Sequence, residues 1–393
     1  MKNRTDLLAN SVLASRVLRV CLTSCAITAI IAVPAVPAAA QQPTGSPQDA
    51  RASDPPTLRR NVRNILGGVP MTAADSMHQR VVRLLEFDSY KELVRSLTQF
   101  GDREQGTPRN AAAVDWIEGQ LQGWGYETER VYYMYTPRVP QGTPTPAPEP
   151  REEVYATKIG STNRGEMYII SAHMDGRGGG QAANDDGSGT ALVMEIARAL
   201  ALPGVESDVS IRFALWNNEE TGLNGAGAYV EQREELQGIE APAGSGQYPE
   251  PRWLGMIQHD MMMWDHGNPV TFNQALDADV DVEYQLNSAF AEQSAQLGLA
   301  LINANRLHAT DYPAVLSNAM SNTDSTPFMN VVPAVSLREN RRLYETGNGA
   351  NPHWHQATDL FETFTDADFT LGLNAAQTTL GALAKLAGIR IRE

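Results

Sequence analysis

Residues 167–220 read MYIISAHMDGRGGGQAANDDGSGTALVMEIARALALPGVESDVSIRFALWNNEE, and the changes of pattern within them decide the fold. Met167 to Ala172 is short and apolar with polar residues on either side, as a strand covered on both faces should be. From Ser188 to Leu202 the apolar residues take up helical spacing. Val209 to Trp216 then returns to a compact apolar block that reads as a second strand.

Working outward, the same alternation continues. A strand is expected from Val154 to Ile159, a helix from near Leu223, and a short apolar run from Trp253 to Gln258. A helix around Leu286 to Leu297, a strand near Val332 to Leu337 and a closing helix from Asp366 to Ala387 follow. Upstream, Asp88 is placed to cap a helix containing Leu93, Val94 and Leu97, and Thr107-Pro108 opens another that ends near Gly125. Residues 137–150 (PRVPQGTPTPAPEP) form a proline-rich insertion, expected as a surface loop because proline fixes φ and lacks a donor. No internal repeat is visible. The expectation is one α/β domain over residues 76–393, with a mixed, mostly parallel central sheet and helices on both faces.

The first 40 residues read as an export signal. Lys2, Arg4, Arg16 and Arg19 precede an apolar run from Cys21 to Val36, and Ala38-Ala39-Ala40 offers a cleavage site before Gln41. Pro34 and Pro37 interrupt the run before it reaches the length of a membrane span. The apolar stretch follows Cys25 rather than preceding it, which argues against a lipidated cysteine. Residues 41–75 lack an apolar period and read as a linker or short pro-segment. Both cysteines, Cys21 and Cys25, would leave with the signal, so disulfides could not hold the exported chain. With four basic residues and one acid (Asp6) in the signal, its removal takes the formal charge from -15 to -18. That balance excludes nucleic acid and anionic lipid as partners, since both need a basic footprint, and no stable membrane insertion is expected after cleavage. The expected location is secreted or periplasmic.

The informative polar residues stand at the ends of the expected strands, where open α/β sheets bind ligands. His173 and Asp175 follow the first strand, and a neutral imidazole with a nearby carboxylate suits a metal position. Asp185 and Asp186 open the helix at Gly187. One of them is explained by capping, whereas a carboxylate bridging two cations would occupy the same address. Glu219 and Glu220 end the second long strand. There they are either a solvated pair or a ligand beside a general base. His259-Asp260 ends the Trp253 run, and the stretch 351–359 adds His353, His355 and Asp359. Together they are enough for a two-metal hydrolytic site. The Met261-Met262-Met263-Trp264 run fits core packing better than a substrate pocket.

In order and spacing, HMD (173–175), ANDDGSGT (183–190), NNEETGL (217–223), HD (259–260) and HWHQATD (353–359) resemble the secreted co-catalytic zinc peptidases of the bacterial leucyl aminopeptidase and glutamate carboxypeptidase family. The resemblance implies two zinc ions per chain. His173 and Asp260 would bind one, Glu220 and His355 the other, and Asp185 would bridge them. It implies that Asp175 orients His173. Glu219 would act as general acid/base, taking a proton from the metal-bridging water or hydroxide and passing it to the leaving amine. The substrate class implied is a peptide or amino-acid amide, cleaved as by an aminopeptidase. The alternatives are a carboxypeptidase or dipeptidase on the same fold, a single-zinc glutaminyl cyclase, or an inactive binding protein. Two departures stand out. Ser325 follows Asp324 where many relatives have histidine, and Gln356-Ala357 replaces the usual Thr-Pro, with His353 as a second imidazole beside the preferred His355.

Overall fold

The computed structural model describes residues 71–264, 280–318, 320–339 and 351–392. All lie in one of the two compact units into which the chain divides, Ser46–Glu393. The expected signal over 1–40 and the segment 41–70 fall outside the described residues.

Helix α1 (Ala73–Val82) starts on a reciprocal cap in which Thr72 and Asp75 each accept the other's backbone N–H. Helix α2 (Phe87–Thr98) begins two residues earlier than expected. Asp88 sits inside the first turn rather than at the cap, where it faces the positive end of the helix dipole. Helix α3 (Pro108–Gly123) opens as expected, with Thr107 accepting from the Asn110 N–H and Pro108 at the first helical position.

Strands β1 (Thr128–Tyr135), β2 (Glu149–Lys158) and β3 (Asn163–His173) follow, then helix α4 (Gly187–Ala201) and strands β4 (Val205–Glu206) and β5 (Val209–Trp216). Next come helix α5 (Asn224–Arg233), strands β6 (Arg252–His259) and β7 (Val280–Glu283), helix α6 (Ala291–His308), and strands β8 (Ala314–Ser317) and β9 (Ala334–Arg338). Helix α7 (Asp366–Leu386) and strand β10 (Arg390–Ile391) close the described chain. The eight-stranded sheet runs β1-β2-β5-β3-β6-β9-β7-β8. Strands β5, β3, β6 and β9 are mutually parallel, β1 and β2 add antiparallel strands at one side, and β7 runs antiparallel to β9. The expected α/β class, with a mixed and mostly parallel sheet, is borne out.

Alternation along β3 divides the two cores. Met167 and Ile169 belong to the cluster under α5, while Ile170 and Ala172 belong to the larger cluster under α2, α4, α6 and α7. Two expectations are corrected. The proline-rich loop stops at residue 148, and Pro150 pairs with Met134 inside β2. Proline is tolerated there because β2 does not reach β5 until Val154, so no neighbour needs its missing N–H. The helix expected near Leu286 starts at Ala291, and Leu286 is exposed.

From β3 the chain crosses to β5 on one side and then to β6 on the other. This places a crevice at the carboxyl ends of β3 and β6. Register levels those ends: His173 pairs with Trp216, Ala172 with His259, and His259 with Leu337. Among the described residues, no helix is long and apolar enough to cross a membrane.

Candidate metal centre

His173 is the last residue of β3, and its Nδ1 lies 2.9 Å from the carbonyl oxygen of Asp175. A carbonyl can only accept, so Nδ1 carries the proton and Nε2 keeps its lone pair. The Asp175 carboxylate lies farther from Nδ1, at 3.7 Å. It accepts instead the N–H groups of Glu219 at 3.0 Å and Glu220 at 3.4 Å. Asp175 thus orients His173 through its backbone and holds the glutamate turn through its side chain.

The two aspartates before α4 divide their tasks. Asp186 is the helix cap, accepting from Gly189 at 2.9 Å, and it also takes the N–H groups of His173 and Met261. Asp185 is left to face the crevice. Its Oδ1 is 3.3 Å from His173 Nε2 and its Oδ2 is 3.0 Å from His355 Nε2. Buried Arg103 ties the loops beneath by donating to the carbonyls of Met174, Gln181 and Ala182.

Glu220 Oε2 is 2.9 Å from His355 Nε2, and Asp260 Oδ1 is 3.8 Å from His173 Nε2. The side chains fall into two groups, His173 with Glu219 and Asp260, and Asp185 with Glu220 and His355. Within each group the candidate donor atoms lie within 4.8 Å of one another. The residues given a ligand, orienting or proton-transfer role (His173, Asp175, Asp185, Glu219, Glu220, Asp260 and His355) are therefore in or against this cluster, with Glu219 inside the first group, whereas the His259 ring turns to Ser171 and Thr379. His353 is placed elsewhere, with its Nδ1 at 2.9 Å from Thr358 Oγ1 and its ring edge-on to Trp264. Met262, Met263 and Trp264 are buried in the core.

Electrostatics follow from packing so many acids together. Burial raises the Glu219 carboxyl well above its ordinary value, although the His173 imidazole opposes this. Burial and the neighbouring Asp185 raise Glu220 to about 7. Burial would also raise Asp185, but hydrogen bonds from His173 and His355 win and hold it below the usual carboxylate range. Burial alone would lower His355, yet Asp185 and Glu220 raise it to about 9.

The donor set fits a divalent cation of the zinc type. Imidazole nitrogens and carboxylate oxygens are zinc's ligands, and Glu220 Oε1 is a buried carboxylate oxygen with no hydrogen-bond partner. Several supporting contacts were not readable from the sequence. Arg338 donates to Asp260 Oδ2, Asp359 accepts the amides of Asn184 and Asp185, and Trp354 stacks on His355 with ring centroids 4.0 Å apart. Asp324, noted only for its neighbour, is buried beside the centre, and its Oδ1 has no partner. A basic residue closing the apolar run Val335–Leu337 was the one available signal for Arg338.

The profile of peptidase family M28 matches residues 154–376. A probable zinc metalloprotease of Leptosphaeria maculans is 30% identical over 176 residues, covering 41% of this chain and 40% of that one. A probable lipoprotein aminopeptidase of Mycobacterium tuberculosis is 26% identical over 238 residues, covering 58% and 43%. The chain thus spans less than half the length of these two curated relatives. The solved aminopeptidase from Aneurinibacillus sp. strain AM-1 shares the fold with a TM-score of 0.59 at 15% identity, over 80% of this chain and 97% of that one.

Proposed function

Because the chain belongs to peptidase family M28, we propose that it is an exported zinc-dependent exopeptidase that removes residues from the N-terminus of peptides. The observation that carries this reading is Asp185, whose two oxygens face two different histidines, each accompanied by a further carboxylate. His173 and Asp260 would hold one zinc ion and Glu220 and His355 a second, with the Asp185 carboxylate available to both. When bound, zinc supplies Lewis acidity toward the scissile carbonyl and makes water nucleophilic near neutral pH. Glu219 moves the proton, accepting it at its carboxylate from the attacking water and delivering it to the leaving amine. Its backbone is fixed for this by the Asp175 carboxylate, which also holds Glu220. The choice of aminopeptidase over carboxypeptidase is supported by the name of the mycobacterial relative. Export rests on residues 1–40, cleaved after Ala40, with 41–75 as linker and 76–393 as the catalytic domain.

The test combines zinc analysis with aminoacyl and dipeptidyl chromogenic amides and peptides blocked at either end, on wild type and Glu219→Ala. The expected result is two zinc ions per chain and cleavage that requires a free N-terminus. The variant should keep its zinc while its rate falls by about 10²- to 10⁴-fold. A protein without stoichiometric zinc whose cleavage is indifferent to Glu219→Ala would contradict the mechanism.

A further inference from the structure

His173 and His355 are oriented by different means. The His173 imidazole is buried, and its Nδ1 is fixed by the carbonyl oxygen of Asp175 at 2.9 Å. His355 keeps 22% of its side chain exposed, and both of its short polar contacts, to Asp185 and Glu220, are made by Nε2, the nitrogen offered to an ion. Among the described residues none holds its Nδ1. The torsion that swings an imidazole about its Cβ–Cγ bond is broad, so a ring tied at one end can carry Nε2 away from both carboxylates. The backbone needs support as well. His355 sits at φ +54°, a left-handed conformation that a residue with a side chain keeps only where its surroundings enforce it.

The group that covers this ring is Trp354. Its indole lies on the imidazole face with centroids 4.0 Å apart and planes 27° from parallel. Contact between two flat faces is lost as soon as one of them turns, so the stack resists rotation where the second hydrogen bond is missing. Core packing does not account for Trp354, which is partly exposed and belongs to neither apolar cluster. The indole is itself anchored through its backbone. The Trp354 N–H donates to the Asn351 carbonyl at 3.2 Å, and the Asn351 side chain donates to Glu339 at 3.1 Å. Glu339 also accepts from the side chain of Asn184, next to Asp185, at 2.9 Å. One buried acid thus ties the stacking turn to the loop that carries the shared carboxylate.

Building on the zinc reading, we propose that Trp354 is a positioning residue of the second metal site, its indole face holding the His355 imidazole as the Asp175 carbonyl holds that of His173. What the ring needs is then a flat neighbour rather than an indole as such. The full chain, stripped of metal, is titrated with zinc against a chelator in wild type, Trp354→Leu and Trp354→Phe. Leucine should weaken one of the two zinc ions by about 3- to 10-fold and leave the other unchanged, and phenylalanine should restore the loss to within about twofold. Trp116→Leu, which removes a tryptophan packed against Phe100, should lower thermal stability without moving either affinity. Crystal structures of the metal-free wild type and Trp354→Leu read the ring directly, and Nε2 should leave Asp185 and Glu220 in the variant alone. Unchanged zinc affinities in Trp354→Leu, a loss that phenylalanine does not restore, an equal loss in Trp116→Leu, or an unmoved ring overturns the proposal. A wild type that binds no zinc overturns the zinc reading, while the ring position still decides the role of Trp354 on its own.

Discussion

Asp359 fixes the backbone of Asp185 from 174 residues away, one carboxylate oxygen accepting the Asp185 N–H at 3.1 Å while the other takes the Asn184 N–H at 2.9 Å. The shared carboxylate of the centre is therefore aimed by a residue that does not itself face the crevice. Asp359→Ala strands two buried donors, each costing about 1–3 kcal/mol. Loss of such an outer partner weakens metal binding by about 10- to 100-fold. Chelator competition and thermal unfolding should report both effects. Asp359→Asn, which keeps one accepting oxygen, should fall between the variant and wild type. Unchanged zinc affinity in Asp359→Ala would remove Asp359 from the support of the centre.

Gly178 sets the position of His355 by contact. A Cβ there would lie 2.5 Å from the His355 carbonyl carbon and 2.6 Å from its oxygen, and φ is +101°. Next to it, Gly179 also has positive φ, at +74°, but open space around it. Alanine at either position pays backbone strain of about 1–3 kcal/mol, and only Gly178→Ala also displaces His355. Both variants should lose thermal stability, and Gly178→Ala alone should lose zinc to a mild chelator. Equal zinc retention in the two would show that His355 is not positioned by this turn.

The parts of the fold legible in sequence are those where burial and composition agree. Val209–Trp216 is visible to the residue because six of its eight positions are apolar, as a strand covered on both faces requires, while the buried charge of Arg212 is met by Glu250. His173, Glu219 and Asp260 were legible for a related reason, since each stands where such a run ends at its carboxyl side. β7 was not, because Val-Asp-Val-Glu (280–283) is fully buried with two carboxylates in it, and acids read as loop unless their partners are known. Strand β1 alternates exposed Tyr132 and Met134 with buried Val131 and Tyr135 and has no clear turn ahead of it. Spacing could not assign Asp186 to the cap and Asp185 to the crevice, because the difference lies in which way each side chain points.

In the absence of zinc, His355 is held as an imidazolium at neutral pH. Burial would lower its pKa, but Asp185 and Glu220 raise it to about 9, while burial and Asp185 bring Glu220 to about 7. A metal takes the neutral imidazole and the carboxylate, so protons must leave as it binds. Below these values protons compete, and the competition fades as pH rises through them. Zinc affinity should therefore climb between pH 6 and 9, by about tenfold per unit for each proton displaced. Chelator competition at several pH values measures the slope. A flat profile would exclude His355 from the ligands.

Arg338 and Asp260 make the last prediction, because their pairing separates a structural ion pair from a metal ligand. The β6–β9 register sets Arg338 beside Asp260, and its guanidinium takes Asp260 Oδ2, leaving Oδ1 turned toward His173. Arg338 Nε also lies 3.9 Å from Glu283. Removing one partner from a buried pair costs about 3–5 kcal/mol, because the remaining charge is left uncompensated. In Arg338→Met, Asp260 is one of those stranded charges, and a cation bound at His173 and Asp260 would compensate it. The drop in Tm should then be smaller with zinc than without, while Arg338→Lys, which keeps the charge but not the fork, should lose less in both states. An equal drop with and without zinc would mean that Asp260 serves Arg338 alone and that the ion beside His173 must be held by other groups.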